Sequence, residues 1–427
     1  MTSVSSILII GAGQAAAVAA TTLRKLGFSG TLTIVGNEPH APYERPPLSK
    51  DALACGDDQE PPIHLREPAY FSENGIDLRL GCEVTALDPE RRRATLADGS
   101  MLEYDRCLIA TGGQARPLPG LEGTFPSLHY LRTLDDARAL RSSLRSTPRL
   151  IVLGGGFLGL EIASTASRQG VQVTVAEAAP RLLARAVPEE FSDWLQDRVA
   201  QAGVTLHLGQ AVTRVDLPAA GQGCATVALS DGQVLKAELL VAAIGMEPAT
   251  RLARDAGLRL DANGGIAVDE ACRSSDPHIY AAGDCASQRR AGQADAMRLE
   301  SWQNANEQAR IAAGAMLGQA SEPPAYPWFW TDQFDCNIQM LGLPAPGLTY
   351  HVRANATSSD APPRLLMLGV RDGRACHAIA VNAGGDLRAL RPVLERNLPI
   401  DVNRFLDDNI SLRELAKSTL AAMPAQR

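Results

Sequence analysis

The sequence contains no run of 18 or more apolar residues, the length that a membrane-crossing helix needs. Its start, MTSVSS, leads directly into an apolar stretch, without the charged region and cleavage site of a secretion signal. We therefore expect a cytoplasmic protein without a membrane partner. Basic residues are not in excess either: the formal charge is −7 and the isoelectric point is near 5.6. That balance argues against a nucleic-acid partner, which normally requires a basic face.

The sequence also lacks the cysteine spacings of a metal site or a redox-active pair. Its eight cysteines are scattered, and no two form CxxC or another metal-ligand pattern. We expect neither a bound metal nor a disulfide framework. Lysine is scarce, because only Lys25, Lys50, Lys236 and Lys417 occur among 41 basic residues. Each lysine therefore raises the question of why arginine was not used there.

The main large-scale pattern is an internal duplication, in which strand, glycine turn, helix and strand occur in the same order twice. The first copy is SSILIIGAGQAAAVAATTLRKLG followed by TLTIVG, and the second is PRLIVLGGGFLGLEIASTASRQG followed by VQVTVAE. Each copy later contains an Asp-Gly turn between two short strands, at 98–99 and at 231–232. The 427 residues allow about three domains, so two nucleotide-binding units and a further domain are expected.

The first glycine turn follows an apolar strand at 7–10 and has the pattern GxGxxA, formed by Gly11, Gly13 and Ala16. The first glycine permits the tight turn, the second lets a pyrophosphate approach the backbone, and the small third residue lets helix and strand pack closely. Free amides and the helix dipole favour the phosphate charge. Glu38, 22 residues after Ala16, ends the next strand and is expected to bind ribose hydroxyls, with Asn37 as a neighbouring candidate.

The second turn, formed by Gly154, Gly156 and Gly159, repeats this pattern, and Glu177 follows Gly159 by 18 residues. A carboxylate there suits the 2′-hydroxyl of NADH and repels the 2′-phosphate of NADPH. Arg181 and Arg185 lie close behind and weaken that preference, because an arginine can pair with a phosphate. Two dinucleotide sites in one chain imply hydride transfer from a nicotinamide to a second bound acceptor, and FAD fits that role.

The remaining sequence continues with a strand at 278–282, then Gly283 and Asp284, and a helix-like stretch at 300–317. Asp284 follows a strand and a glycine, so its carboxylate can accept a hydrogen bond from a ribityl hydroxyl. From Pro323 the composition changes to PPAYPWFW and to short alternating runs such as CNIQMLGL, RLLMLGVRDG and RACHAIAVN. These runs predict strands joined by tight turns, with a domain boundary near 322.

Several motifs together resemble those of the FAD-dependent ferredoxin reductases that serve Rieske-type aromatic-ring dioxygenases, and of the putidaredoxin and rubredoxin reductases. The resemblance covers nearly the whole chain. It is carried by GAGQAA, PYERPPLSK at 42–50, ATGG at 110–113, YLRTL at 130–134, GGGFLGLE at 154–161, YAAGDCA at 280–286, ESWQNANEQA at 300–309 and PWFWTDQF at 327–334.

The resemblance implies an α/β fold of the glutathione-reductase type, with two Rossmann-like dinucleotide-binding domains and a C-terminal α+β domain. The FAD domain would be split between 1–113 and 246–321, the NADH domain would span 114–245, and the C-terminal domain would span 322–427. Beyond the turn residues, the resemblance assigns to FAD the residues Ala15, Glu38, Arg45, Lys50, Val84, Ala110, Thr111, Gly112, Arg132, Asp284 and Trp302. It assigns Glu161 and Gly245 to NADH.

The same resemblance implies the chemistry: FAD accepts hydride from NADH and passes single electrons to a [2Fe-2S] ferredoxin, most naturally a Rieske-type one. Lys50 is expected beside flavin N5, and Glu161, on the first turn of the second helix, is expected to pair with it once the domains close. The chain otherwise prefers arginine, so a lysine at position 50 suggests that a compact point charge is needed there. The helix that opens at Glu300 to Trp302 would present free amides to the flavin. Trp328 and Trp330 are candidates for the ferredoxin-facing edge, or for core packing of the last domain.

Other functions remain open at this point. One alternative is a ferredoxin that serves a haem-thiolate or alkane monooxygenase rather than a dioxygenase. A flavin disulfide reductase would need a cysteine pair where this chain has PPLSK, and a single-cysteine NADH oxidase or coenzyme A disulfide reductase would have to use Cys55. A redox-sensing interaction protein resembling apoptosis-inducing factor would turn over slowly. The oligomeric state is not indicated.

Overall fold

The structure is a computed structural model that describes residues 4–56, 59, 61–121, 123–218, 223–290, 296–320, 323–354 and 362–422. Its contacts divide the chain into two compact units. The first unit comprises Met1–Leu48, Glu60–Arg116 and Met246–Ala325, and the second comprises Ser49–Gln59, Pro117–Gly245 and Tyr326–Arg427. The predicted boundary near 322 lies outside the described residues, and the division into three domains stays a prediction.

The first unit is built on a five-stranded parallel sheet. Its strands, in spatial order, are Ile279–Ala281, Arg106–Ile109, Ser6–Ile10, Thr31–Val35 and Ile76–Arg79. The predicted strands at 7–10 and 278–282 and the predicted helix at 300–317 are confirmed, the helix as Trp302–Met316. That helix packs with Gln14–Lys25 against the sheet, because both carry alanine-rich buried faces. This parallel arrangement is the Rossmann-like layout expected of a dinucleotide-binding domain.

Smaller elements complete the first unit. The Asp98–Gly99 turn joins Arg93–Leu96 to Met101–Glu103, and Gly99 has a φ of +84°, as the predicted hairpin requires. The other strands are Val84–Asp88, Gly113–Ala115, Met246–Pro248, Ile266–Val268, Ala286–Arg289 and Ala296–Met297, and the other helices are Pro68–Glu73 and Arg251–Asp255.

The second unit repeats the five-stranded parallel sheet. Its strands, in spatial order, are Thr205–Leu208, Gln172–Glu177, Arg149–Leu153, Leu239–Ala242 and Leu128–His129. The predicted second hairpin is also confirmed, since Ala225–Leu229 pairs antiparallel with Val234–Ala237 across Asp231 and Gly232. A third strand, Val212–Asp216, pairs with this hairpin. The helices here are Asp51–Ala54, Leu134–Leu144, Phe157–Arg168 and Glu189–Gln201. A short 3-10 helix, Pro46–Ser49, begins in the first unit and ends at Ser49, the first residue of the second.

The C-terminal part of the second unit is an antiparallel sheet covered by helices. The alternating runs predicted as strands are strands, and the sheet order is Trp328–Gln333, Cys336–Leu341, Arg374–Val381, Leu365–Arg371 and Thr349–Ala354. The helices Gly384–Glu395, Val402–Leu406 and Leu412–Ala421 bury apolar side chains against this sheet. The predicted α+β class of this region is therefore confirmed. Among the described residues, no helix is long and apolar enough to cross a membrane.

Candidate dinucleotide sites and active-site residues

The first glycine turn has the backbone geometry that the sequence predicted. Gly11 has a φ of +109°, and a Cβ built on it would lie 2.2 Å from the carbonyl oxygen of Ala110, so only glycine fits there. Its N–H donates to the carbonyl of Val35 at 2.7 Å. Ala16 is completely buried, where helix and strand approach each other. A Cβ on Gly13 would meet no atom within 4 Å. The backbone at Gly13 is thus bare at the helix N-terminus, which fits a pyrophosphate.

The second turn repeats this geometry. Gly154 has a φ of +110°, and a Cβ on it would lie 2.5 Å from the carbonyl oxygen of Ala243. A Cβ on Gly159 would lie 2.1 Å from the carbonyl oxygen of Gly154, so helix and strand touch at this position. Gly156, like Gly13, leaves open space where its Cβ would be. The two copies therefore present equivalent cradles for a dinucleotide, one in each unit.

Glu177 lies at the end of its strand, and its carboxylate is bound to the second turn. Oε2 accepts a hydrogen bond from the N–H of Gly155, and Oε1 accepts one from the N–H of Ala179, both at 2.6 Å. These bonds fix a negative charge beside the turn, as the predicted ribose contact requires. Arg181, the competing phosphate candidate, donates to the carbonyls of Val187 and Ala184, both at 2.9 Å. Arg185 is exposed.

Glu38, the predicted ribose ligand of the first turn, has partners that the sequence did not suggest. Oε1 forms an ion pair with Arg45 at 2.7 Å, and Oε2 accepts the hydroxyl of Tyr43. The guanidinium of Arg45 also lies over the ring of Tyr43, 5.3 Å from its centroid. Two predicted FAD residues, Glu38 and Arg45, are therefore in direct contact. A carboxylate has about four lone-pair positions, so Glu38 still has acceptor capacity for a ribose hydroxyl.

Three of the other predicted FAD residues of the first unit directly follow the sheet strand Arg106–Ile109. Ala110 donates its N–H to the carbonyl of Ile10 at 2.7 Å, and the hydroxyl of Thr111 donates to the carbonyl of Ala249 at 2.7 Å. Gly112 has a φ of +66°. Ala15 is buried in the turn helix, and Val84 is buried at the start of its own strand.

Asp284 follows the end of a strand, and Trp302 begins a helix. Two residues separate Asp284 from the strand Ile279–Ala281, and its side chain is partly exposed. The neighbouring Cys285 is completely buried, and burial raises the pKa of its thiol. Trp302 is the first residue of its helix, and its indole Nε1 donates to Glu44 at 3.3 Å.

The predicted lysine–glutamate pair is formed within the second unit. Lys50 Nζ lies 2.8 Å from Glu161 Oε1, and the two side chains are 19% and 9% exposed. Glu161 is the fifth residue of the helix Phe157–Arg168. It therefore lies one residue beyond the predicted first turn, because Gly156 is the N-cap and the helix begins only at Phe157.

Sequence reasoning missed two further partners of Glu161. Ser49 donates its hydroxyl to Glu161 Oε2, and Thr331 donates its hydroxyl to Oε1, both at 2.5 Å. The signal for Ser49 was its place next to Lys50 in PPLSK. No local signal pointed to Thr331, which is 170 residues from Glu161 in the sequence.

The remaining predicted residues of the second unit are Arg132, Gly245 and the two tryptophans. The N–H of Arg132 donates to Asp136 at 2.9 Å, just before the capped helix Leu134–Leu144. Gly245 has a φ of +118°. Trp328 and Trp330 are half-buried and stack on each other with ring centroids 4.9 Å apart. Trp328 also packs against the C-terminal core, so its packing role is observed.

The structure offers no redox pair for the disulfide reductase alternative. All eight cysteines are free thiols and fall within the described residues, and no cluster of metal-binding side chains occurs among those residues. Cys55 lies 2.7 Å from the guanidinium of Arg141, and no second thiol bonds to it.

Two glycine cradles on parallel sheets and a buried Lys50–Glu161 pair define the class of an α/β oxidoreductase that uses two dinucleotides. Comparison with known proteins agrees with this class. The family model described as pyridine nucleotide-disulphide oxidoreductase matches residues 5–309, and the model described as reductase C-terminal matches residues 328–416. The chain belongs to the pyridine nucleotide-disulphide oxidoreductase family, and it is an enzyme that uses FAD and NADH.

Individual relatives match over nearly their whole length. The 3-phenylpropionate/cinnamic acid dioxygenase ferredoxin–NAD(+) reductase component of Photorhabdus laumondii is 39% identical over 91% of this chain and 96% of its own. Rhodocoxin reductase of Rhodococcus erythropolis is 39% identical over 96% of this chain and 93% of its own. Putidaredoxin reductase in a crystallised covalent complex with putidaredoxin superposes with a TM-score of 0.90 at 34% identity, covering 98% of this chain and 99% of that one.

Proposed function

We propose that this protein is an NADH-dependent ferredoxin reductase that supplies electrons to an aromatic-ring-hydroxylating dioxygenase through a [2Fe-2S] ferredoxin. The observation that carries the proposal is the pair of matching cradles, in which Gly13 and Gly156 leave the backbone open at two helix N-termini. Two such cradles fit an electron donor and an electron acceptor that are both dinucleotides. Bound FAD supplies the chemistry that a protein side chain lacks, because it takes electrons in pairs and releases them singly.

The chain's own residues bind and orient the two dinucleotides. In the first unit, Glu38 and Arg45 would bind FAD beside the Gly11–Gly13 turn, together with Ala110, Thr111, Asp284 and Trp302. In the second unit, Glu177 would accept the ribose hydroxyls of NADH. The Lys50–Glu161 pair lies one turn into the helix that opens at the NADH cradle. We assign these two residues to the reacting nicotinamide, where they would orient the ring and limit access of water.

The ferredoxin partner is supported by the relatives and by the aromatic strand. One relative is a reductase component of a dioxygenase system, and a similar chain has been crystallised with putidaredoxin. Trp328 and Trp330 form a stacked, half-exposed pair on the first strand of the C-terminal sheet. Small transient interfaces are typical of redox partners, and we propose this strand as the docking edge. We place the reaction in the cytoplasm, where NADH is regenerated and where free thiols persist.

A second candidate is a reductase for the ferredoxin of a haem-thiolate or alkane monooxygenase. It is favoured by the equal identity, 39%, of the dioxygenase component and of rhodocoxin reductase. The experiment is to load the protein with FAD, add NADH, and follow the bleaching of purified [2Fe-2S] ferredoxins. One should be a Rieske ferredoxin of a dioxygenase system, and the other a ferredoxin of a monooxygenase system. A preference of tenfold or more in kcat/KM for the Rieske partner is expected, and the reverse preference would favour the second candidate.

A further inference from the structure

Helix Phe157–Arg168 and strand Trp328–Gln333, both in the second unit, are joined by matched contacts along one face of each. On the helix, Phe157, Glu161 and Ser164 are spaced by four and three residues, so they lie on the same side. On the strand, positions 329 and 331 also share a side, because side chains alternate along a strand.

The outer contacts of this row hold the central one in register. The rings of Phe157 and Phe329 are 4.6 Å apart between centroids, which gives an apolar contact at one end. At the other end, the N–H of Phe334 donates to the hydroxyl of Ser164 at 2.6 Å. Between them, Thr331 donates its hydroxyl to Glu161 at 2.5 Å.

Thr331 has little freedom to do anything else. It is 0% exposed, and its hydroxyl oxygen accepts the side-chain amide of Gln333 at 3.1 Å. A hydroxyl has one proton to donate, and the bond from Gln333 leaves that proton directed at Glu161. The orientation of the hydroxyl is therefore fixed from both sides.

Glu161 is a buried carboxylate that requires hydrogen-bond donors besides Lys50. A buried ion pair stabilises a protein only if further hydrogen bonds satisfy its remaining lone pairs. Lys50 and Thr331 share Oε1, and Ser49 takes Oε2. If Thr331 lost its hydroxyl, Oε1 would lose one of the two donors that the described residues supply, and the carboxylate would be less firmly oriented towards the ammonium.

We propose that Thr331 is a positioning residue for the reaction: it fixes Glu161, and through Glu161 the ammonium of Lys50, in the geometry needed for hydride transfer. Thr331, on the C-terminal sheet, thus supports an ion pair formed by two other parts of the chain. Lys50 lies in the PPLSK segment, and Glu161 lies on the helix that begins at the second glycine turn. The inference rests on the proposed function, because it requires that Lys50 and Glu161 act at the nicotinamide.

The test compares Thr331→Val, which keeps the shape but lacks the hydroxyl, with Thr331→Ser, which keeps the hydroxyl. Thr250→Val is the matched control, since Thr250 is 2% exposed and its hydroxyl donates to the carbonyl of Gly264 at 2.9 Å. Each FAD-loaded full-length protein is mixed with NADH in a stopped-flow instrument, and flavin bleaching gives the rate of reduction. FAD content and melting temperature are measured on the same samples.

We expect Thr331→Val to lower the limiting rate of flavin reduction about tenfold, with little change in the NADH concentration at half-maximal rate, because the lost bond is to a charged acceptor. Thr331→Ser and Thr250→Val should stay near the wild-type rate. Equal rates in Thr331→Val and wild type would overturn the proposal, and so would a Thr331→Ser rate as low as that of Thr331→Val, since packing would then explain the effect.

If Thr331→Val fails to fold or to bind FAD, Ser49→Ala tests the same network from Oε2. It should also slow flavin reduction, and an unchanged rate would count against positioning by these hydroxyls. Failure of the proposed function itself is distinguishable, because wild-type protein would then hold FAD without being reduced by NADH, or would be reduced without passing electrons to ferredoxin.

Discussion

Replacing Glu177 should change which nicotinamide dinucleotide the enzyme prefers. The carboxylate is held beside the second glycine turn by two main-chain N–H groups at 2.6 Å, so it cannot turn away from a 2′-phosphate without losing both bonds. Two unit charges about 4 Å apart interact by about 4 kcal/mol at the effective dielectric of a protein surface. Because Glu177 is partly exposed, solvent and salt reduce this to about 1–2 kcal/mol, or roughly tenfold in relative affinity.

Adding a cation next to the removed charge should roughly double the free-energy change in nicotinamide preference. Ala178 is exposed and directly follows Glu177, so Ala178→Arg can reach a phosphate without disturbing the core. The double variant E177A/A178R should shift the ratio of kcat/KM for NADPH over NADH by about 100-fold, which corresponds to about 3 kcal/mol. The single variant E177A should shift it about tenfold.

The assay is steady-state reduction of ferricyanide with each dinucleotide at constant ionic strength. Glu238→Ala is a matched control, since Glu238 is a half-exposed glutamate of the same unit, paired with Arg149 at 2.6 Å and remote from the turn in sequence. It should leave the preference unchanged. If the ratio for E177A/A178R does not move, or moves no more than for Glu238→Ala, Glu177 is not the ribose ligand.

Three further predictions concern particular residues. Gly154→Ala should destabilise the fold by about 1–3 kcal/mol, because alanine would have to adopt a φ of +110° with its Cβ 2.5 Å from a carbonyl oxygen. Gly156→Ala should leave the melting temperature unchanged and raise the KM for NADH, because its Cβ would enter the open space of the cradle. A loss of stability in Gly156→Ala, or an unchanged KM for NADH, would contradict the assignment of this cradle. Burial lowers the pKa of His377 from 6.5 to about 4, so the unfolded chain binds a proton that the folded chain refuses, and stability should fall by up to about 3 kcal/mol as the pH drops from about 6.5 to 4. His377→Gln should show a smaller loss of melting temperature over that window, and an identical loss would contradict the assignment. Trp330→Ala should slow ferredoxin reduction and leave ferricyanide reduction intact, while equal loss in both assays would indicate a packing role.

The elements that the sequence predicted well are those with local causes. A glycine with φ near +110° at both turns, a small residue where helix and strand touch, and Asp-Gly at both hairpins each leave a signature within a few residues. The short apolar runs after Pro323 likewise predicted the strands of the C-terminal sheet, because tight turns separate them. Cys336–Leu341 begins with alternating buried and partly buried residues, whereas Leu365–Arg371 is buried on both faces up to its last residue.

The contacts that escaped prediction are those set by tertiary packing. The partners of Glu161 come from two distant segments, one with Ser49 and Lys50 and one with Thr331. Nothing near Thr331 in the sequence marks it as a donor to a carboxylate 170 residues away. In the same way, Tyr43 was not expected to share Glu38 with Arg45, although all three lie within eight residues, because side-chain directions in an irregular loop have no period. The pairing of Lys50 with Glu161 was expected only through family resemblance.

The central claim, that one chain carries two dinucleotides between which electrons pass, is tested most directly by an anaerobic titration of the FAD-loaded protein with NADH. One equivalent of NADH should bleach the flavin absorbance, and two equivalents of oxidised [2Fe-2S] ferredoxin, added afterwards, should restore it while each accepts one electron. Protein that binds no FAD, or whose bound FAD stays oxidised in excess NADH, would contradict the account.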